Sequence, residues 1–174
     1  MIAINDDFLE EEYIVRNVYH SSQYSNKTGL KKNYLYPNYR KESKQYKGKH
    51  VCRISVQRVC YGGWKGVIEW AKSQEGEHRT LIGFGVASIN TVRKYGFCME
   101  TAAHDNNPFH AHIYIPELDL PYPSEIDSIF NSGLRRRLDD MTEDFKFIEL
   151  EDIINHKDVY FDCVSEGCFL LKYK

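Results

Sequence analysis

The sequence predicts an α+β fold: a single domain with a mainly antiparallel sheet, about three short helices and a C-terminal β-hairpin. Runs of alternating apolar and polar residues recur along the chain, and apolar residues at helical spacing are confined to a few short stretches. A length of 174 residues suits one domain with a substantial core. We therefore expect one domain over residues 1–174, with residues 1–12 as a frayed acidic arm or short helix and residues 24–50 as a basic, tyrosine-rich loop region.

The first half of the chain is predicted to alternate strands with helices. Residues 13–19 (YIVRNVY) and 51–60 (VCRISVQRVC) have the period-two alternation of strands. A double-glycine break then precedes WKGVIEWAKSQ, whose apolar residues recur at helical spacing. Residues 78–84 are expected to return as a strand, and residues 82–96 to run from that strand into a helix closed by a glycine.

The second half is predicted to contain two hairpins with a helix between them. Residues 95–116 are two alternating runs around a tip of His, Asp, Asn and Pro, which indicates a β-hairpin. A proline-rich connector leads to a helix that Ser124 caps and that carries an apolar stripe to Leu138. Residues 145–150 are a strand candidate before a helical turn, and residues 159–173 are expected to form the closing hairpin.

Composition favours a globular protein in a reducing compartment. The apolar fraction is 42% and the formal charge is −2, which neither favours nor excludes nucleic acid as a partner. Five cysteines without a Cys-x-x-Cys pair argue against a disulfide framework or a cysteine-rich zinc module. No signal peptide and no membrane-spanning apolar run are recognisable, so we expect a cytoplasmic protein without a membrane partner.

Positive charge is concentrated early in the chain. Residues 24–50 hold eight lysines and arginines against a single acidic residue, Glu42, and five tyrosines are interleaved with them. Cationic side chains neutralise phosphates and tyrosine rings can stack on unpaired bases, so this segment is a candidate surface for nucleic acid. The alternative is a solvated loop whose tyrosines pack locally. The residues predicted to bind substrate are Lys31, Lys32, Tyr36, Tyr39, Arg40, Lys41, Lys44 and Lys47.

The densest collection of titratable side chains lies on the predicted hairpin of residues 95–116. Residues that oppose one another across an antiparallel pair share a face of the sheet. Matching the apolar residues of the two runs brings five side chains to one face and leaves two more in the tip. The five are Cys98, Glu100, His110, His112 and Tyr114, and the two are His104 and Asp105.

Two chemistries follow from this arrangement. His110 and His112 should stand roughly 7 Å apart on one face, where they could act as acid and base on a phosphoester. They could instead hold a divalent metal such as zinc, with Glu100, His104 or Asp105 completing the ligands. The alternative without function is the polar face of any half-exposed sheet.

Four further residues suggest a different enzyme. Arg16 on a first strand, Ser55 on a middle strand and a late Glu149-x-Glu151 follow one another along the chain. This order resembles ADP-ribosyltransferases that use NAD. The resemblance covers these few positions and implies transfer of ADP-ribose from NAD.

The leading hypothesis is a small cytosolic protein that binds nucleic acid or a nucleotide through its basic segment. In this hypothesis His104, His110 and His112, with Glu100, cleave a phosphoester. The alternative is a non-catalytic interaction module or a subunit of a larger assembly, with a protein as its partner. The third is the ADP-ribosyltransferase-like enzyme.

Overall fold

The structure, a computed structural model, describes residues 8–10, 12–19, 23–37, 52–119 and 130–156. Its strands are β1 (Tyr13–Tyr19), β2 (Tyr24–Ser25), β3 (Gly29–Leu30), β4 (Arg53–Arg58), β5 (Leu81–Ser88), β6 (Cys98–Thr101), β7 (His110–Tyr114) and β8 (Lys146–Glu149). Its α-helices are α1 (Val59–Ser73), α2 (Ile89–Lys94), α3 (Arg135–Asp144) and α4 (Leu150–Asn155). Short 3-10 turns span Lys32–Leu35 and Pro116–Leu118, and a π-helical turn spans Phe130–Leu134.

Six of the strands form one antiparallel sheet in the order β6-β7-β4-β1-β5-β8, and β2 and β3 form a separate small pair. The predicted α+β fold is therefore confirmed. The proposed C-terminal hairpin lies outside the described residues, as do residues 1–7 of the acidic arm. No helix in the described part of the chain is long and apolar enough to cross a membrane.

The two faces of the sheet are covered differently. One face, called here the covered face, carries Ile14, Ile54 and Ile113 under the first 3-10 turn, α2 and α3. The opposite face is covered by α1 where it passes over β1 and β5, with Trp64 of α1 in the same cluster as Phe84. On β4, β6 and β7 this second face stays largely open, and it is called here the histidine face.

The boundary between β4 and α1 differs from the prediction. Residues 59 and 60 were expected to continue the strand, but α1 begins at Val59, whose side chain is fully buried with Trp64. Gly63 lies within this helix at φ 56° and ψ 175° and kinks it. Because side chains other than glycine rarely adopt a positive φ, glycine at this position allows the chain to turn from the strand and lay α1 across the sheet.

A buried ion pair joins the start of β1 to the end of β4. Arg58 Nε donates to Glu12 Oε1 at 2.5 Å and Nη2 donates to Oε2 at 2.8 Å. The exposed fractions of these side chains are 1% and 3%, and the Phe8 ring lies 4.2 Å from the guanidinium carbon. Residues 8–12 of the predicted acidic arm therefore contribute Phe8 and Glu12 to contacts with the body of the protein.

We expect Glu12→Ala to lower the free energy of unfolding by about 3–5 kcal/mol, because the buried guanidinium of Arg58 would lose the carboxylate that accepts two of its hydrogen bonds. Glu10→Ala is the matched control, since Glu10 pairs with Arg93 at 3.7 Å on the surface and its side chain is 65% exposed. That control should change stability by about 0–1 kcal/mol. Urea unfolding followed by circular dichroism measures both, and equal effects would contradict the role assigned to the buried pair.

Candidate functional site

The predicted register of the histidine hairpin is confirmed. Glu100 lies opposite His112, and Met99 lies opposite Ile113 on the other face. On its second edge β7 pairs with β4, so that His112 opposes Ser55 and His110 opposes Gln57. The alternation of the sequence therefore places the two strand histidines on the histidine face, beside polar residues of β4.

Four aromatic rings form a row along this face. The ring centroids of His110 and His112 are 4.6 Å apart, and those of His104 and His110 are 5.7 Å apart. His104 is exposed in the hairpin tip and also contacts Trp70 of α1, at 5.7 Å. The tip therefore folds back so that all three predicted histidines meet, while Asp105 is exposed to solvent.

His110 contacts Ser55 through one ring nitrogen. Its Nε2 atom forms a hydrogen bond with Ser55 Oγ. The Ala102 backbone acts to raise the pKa of the imidazole, but burial outweighs it. In the neutral tautomer that carries its proton on Nδ1, Nε2 is the atom that accepts the hydroxyl proton of Ser55.

Burial makes His110 a neutral base. Desolvation, and then the neighbouring His112 and His104, lower the pKa of His110 to about 4 against the opposing effect of the Ala102 backbone. Burial also lowers the pKa of His112, assisted by the positive charge of Arg53 and opposed by Glu100. Both rings are therefore unprotonated at neutral pH, and each has one nitrogen that can accept a proton.

The carboxylate of Glu100 is already engaged. Arg53 lies on β4, the strand that pairs with the hairpin, and its Nε donates to Glu100 Oε2 at 2.6 Å. Within the described ranges, no group of three or more His, Cys, Asp and Glu side chains is arranged to hold a metal ion. Glu100 therefore serves to pair Arg53.

A polar cleft of about 190 Å³ opens beside His110. It exists because β1 and β4 pair only at Ile14 with Arg58 and at Val15 with Gln57, although both strands continue beyond these positions. Arg16 lies in the resulting gap, and its Nη1 atom donates to the Ser55 carbonyl at 3.0 Å. The side chain thus satisfies a backbone acceptor that the neighbouring strand does not reach.

Both sheet and helix residues line the cleft. The polar or aromatic lining residues are Arg16, Asn17, Tyr19, Gln23, Ser55, Gln57, Trp70, Gln74, Arg79 and His110. None of these side chains is acidic. Arg79 follows the tight turn between α1 and β5, and its guanidinium carbon lies 4.0 Å from the Tyr19 ring centroid. The cleft therefore joins the neutral imidazole of His110 to two guanidinium groups.

The described part of the basic segment lies on the other side of the sheet. Tyr34 is buried in the core of the covered face, and its hydroxyl donates to the Arg16 carbonyl at 2.5 Å. The ring of Tyr36 packs edge-on against Phe130, and its hydroxyl donates to Asp139 Oδ1 at 2.6 Å. Tyr36 is therefore engaged in packing, as the alternative interpretation of this segment expected.

The other predicted binding residues of the segment divide into two groups. Lys31 and Lys32 stand at the start of the first 3-10 turn, with Lys32 exposed. The rest lie outside the described residues, and their role stays a prediction. They are Tyr39, Arg40, Lys41, Lys44 and Lys47.

The residues behind the resemblance to ADP-ribosyltransferases do not converge. Arg16 contacts the backbone of Ser55, but the sheet register places the side chains of Ser55 and Glu149 on opposite faces. β4 and β8 are also separated by β1 and β5 in the sheet.

Sequence reasoning missed four residues of the site. In the sequence, Gln57 is one of the polar residues of an alternating strand. Trp70 is one of the apolar residues of an amphipathic helix. No sequence pattern distinguishes Arg79 from the other charged residues of its turn. Ser55 was considered as a site residue only through the resemblance to ADP-ribosyltransferases. What these four residues share is that they line the cleft beside His110 in the folded protein. Their positions there depend on contacts between residues more than 20 positions apart in the sequence, such as the pairing of β4 with β7.

Direct titration should show the lowered pKa of His110. We expect its imidazole Hε1 resonance to titrate at about pH 4, with the resonance assigned by its loss in His110→Gln. Because the unfolded chain takes up this proton near pH 6.5, the stability contributed by the neutral ring is complete above pH 6.5 and declines as the pH falls toward 4. A midpoint at or above pH 6.5 would contradict a neutral, desolvated base.

Comparison of the chain with protein-family models, curated proteins and solved structures found no match. The roles of the site residues are accordingly argued from the geometry of the histidine face and its cleft.

Proposed function

We propose that this chain is a cytosolic enzyme that binds phosphoesters of nucleotides or nucleic acids and hydrolyses them with His110 as general base. The hydrogen bond between Ser55 Oγ and His110 Nε2 carries the proposal. An unprotonated imidazole that is hydrogen-bonded to a hydroxyl is the arrangement that activates serine nucleophiles. Cys52 and Cys98 carry free thiols, which agrees with a reducing compartment.

The arginines of the cleft favour a phosphoester over a neutral ester. Arg16 is held beside Ser55 by its bond to the Ser55 carbonyl, and Arg79 lies close enough to Arg16 for their charges to interact. Guanidinium groups match the geometry of phosphate oxygens and stabilise the charge of a phosphoryl group during transfer. The nucleophile and the anion-binding groups therefore stand at one end of the same cleft.

The proposed reaction has two steps. In the first, Ser55 Oγ forms a bond to phosphorus, His110 Nε2 takes the hydroxyl proton, and the bond from phosphorus to the leaving oxygen breaks. The leaving oxygen takes a proton from solvent on the open face. Before the second step His110 loses its proton to solvent. It then takes a proton from water as the water oxygen bonds to phosphorus, the bond from phosphorus to Ser55 Oγ breaks, and His110 returns that proton to the serine oxygen.

The other predicted catalytic residues have supporting roles in this proposal. His112 and His104 border His110 and help to keep it unprotonated. Glu100 neutralises Arg53, whose positive charge lowers the pKa of His112. These three act through His110, so their replacement is expected to shift the pH profile more than to abolish turnover.

The catalytic prediction concerns His110 and Ser55. With a chromogenic phosphodiester of a nucleotide as substrate, His110→Gln and Ser55→Ala should each lower kcat/KM roughly 10²- to 10⁴-fold, the usual contribution of a general base. The control is His156→Gln, which changes an exposed histidine at the end of α4. A nucleotidyl group on Ser55, found by mass spectrometry after an acid quench, would identify the nucleophile.

Full activity in both variants would overturn the catalytic proposal. A wild-type protein that binds nucleic acid but turns over no phosphoester would favour the non-catalytic interaction module.

The basic segment supplies a second, weaker contribution to the proposal. Lysines that neutralise phosphates release counterions, so affinity for single-stranded nucleic acid should fall with salt. A plot of log K against log salt has a negative slope for such binding. Replacing Lys41, Lys44 and Lys47 together by Glu should make this slope shallower by roughly 2. Lys65→Glu on α1 is the control for a single exposed charge reversal. Fluorescence anisotropy with a labelled oligonucleotide measures the slope, and an unchanged slope would remove the segment from the binding surface.

A further inference from the structure

The cleft beside His110 is lined by a buried side-chain amide whose oxygen accepts no hydrogen bond from the described residues. Gln57 is only 4% exposed, and its Nε2 donates to Asn17 Oδ1 at 3.1 Å. Its Oε1 atom is buried and has no hydrogen-bond partner among the described residues. Because buried acceptors are nearly always satisfied in folded proteins, the cleft is suited to a ligand that brings an N–H or O–H group to this oxygen.

The charge of the cleft indicates the second property of the ligand. Arg16 and Arg79 line it, and no Asp or Glu side chain does. The guanidinium of Arg79 is exposed and rests against the ring of Tyr19, and no carboxylate pairs with it in the described part of the chain. A pair of guanidinium groups without counter-charges favours a ligand with a phosphate group.

The wall formed by α1 indicates the third property. Trp70 is half-buried at the rim of the cleft, and its ring meets the histidine row at His104. An indole at the edge of a cationic groove is a common platform for nucleobases, since every base has a π-face that can stack on it. The ligand is therefore expected to carry an aromatic group that offers N–H donors, as a base does.

The size of the cleft limits the ligand to a single unit. Its volume of about 190 Å³ is well below the roughly 300–1,000 Å³ of pockets that enclose drug-sized ligands. A dinucleotide such as NAD would far exceed it, whereas one nucleotide would fill it and extend past its open rim.

We infer that the cleft binds one nucleoside monophosphate unit, either free or at the end of a nucleic-acid strand. Arg79 and Arg16 contact its phosphate, Trp70 stacks on its base, and an N–H or O–H group donates to Gln57 Oε1. The inference rests on the proposed function in one respect: the bound phosphate would be the group presented to Ser55 and His110.

Isothermal titration calorimetry on the full chain tests binding independently of catalysis. The ligands are the four ribonucleoside monophosphates, adenosine, inorganic phosphate, and an oligonucleotide with and without a terminal phosphate. At least one monophosphate should bind more tightly than both adenosine and inorganic phosphate. Arg79→Gln should weaken that affinity roughly 10- to 100-fold, the loss of a charge-assisted contact, and leave the weak affinity for adenosine unchanged.

Two matched variants complete the experiment. Arg136→Gln removes an arginine that is 88% exposed on α3 and should leave every affinity unchanged. Trp70→Leu should weaken monophosphates and adenosine by a similar factor while sparing inorganic phosphate. Circular dichroism confirms that each variant is folded, as expected for exposed or half-buried positions.

The outcomes separate the inference from the proposed function. Tight binding of a monophosphate without turnover would support the inference and overturn the hydrolase. Turnover without monophosphate binding, or affinities that Arg79→Gln leaves unchanged, would overturn the inference. Equal affinities for a monophosphate and for inorganic phosphate would also overturn it, because the base would then contribute nothing. Binding that requires the terminal phosphate of the oligonucleotide supports the inference and identifies a strand end as the source.

Discussion

The site depends on how β1 and β4 are joined. Glu12 and Arg58 hold the two strands together at one end through a buried, bidentate ion pair, and regular pairing ends at Val15 and Gln57. Beyond that point the backbone groups that would have formed a ladder need other partners. Arg16 supplies one for the Ser55 carbonyl, and the Tyr34 hydroxyl meets the Arg16 carbonyl from the covered face. The gap is therefore stabilised by side chains, and it provides the floor of the cleft.

In this site, different residues accept the proton and supply the positive charge. Burial and the neighbouring imidazoles keep His110 unprotonated, so this ring can accept a proton. The positive charge of the cleft comes from the guanidinium groups of Arg16 and Arg79. A base that is neutral at pH 7 beside two guanidinium groups suits attack on an anionic ester, because the nucleophile can be deprotonated while the phosphate remains bound.

The sequence predicted the part of this site that depends on local alternation. The period of two along β6 and β7 was sufficient to place Glu100, His110 and His112 on one face, because register follows from matching apolar residues within a single hairpin. It could not show that the hairpin tip returns to Trp70, or that Arg79 rests on Tyr19, since those contacts join elements far apart in the chain. The tyrosines of the basic segment show the reverse limitation. Composition suggested rings for base stacking, whereas Tyr34 and Tyr36 are used in packing.

The two cationic regions can therefore be expected to act differently on a nucleic acid. The arginines of the cleft occupy fixed positions beside His110, and they can select where a phosphate lies relative to Ser55. The lysines of residues 38–51 lie outside the described residues and are clustered in the sequence. Clustered lysines increase affinity for any polyanion without reading its chemistry. A mononucleotide should then bind with a shallow salt dependence set by two guanidiniums, and a strand with a steeper one, because a strand offers further phosphates to those lysines.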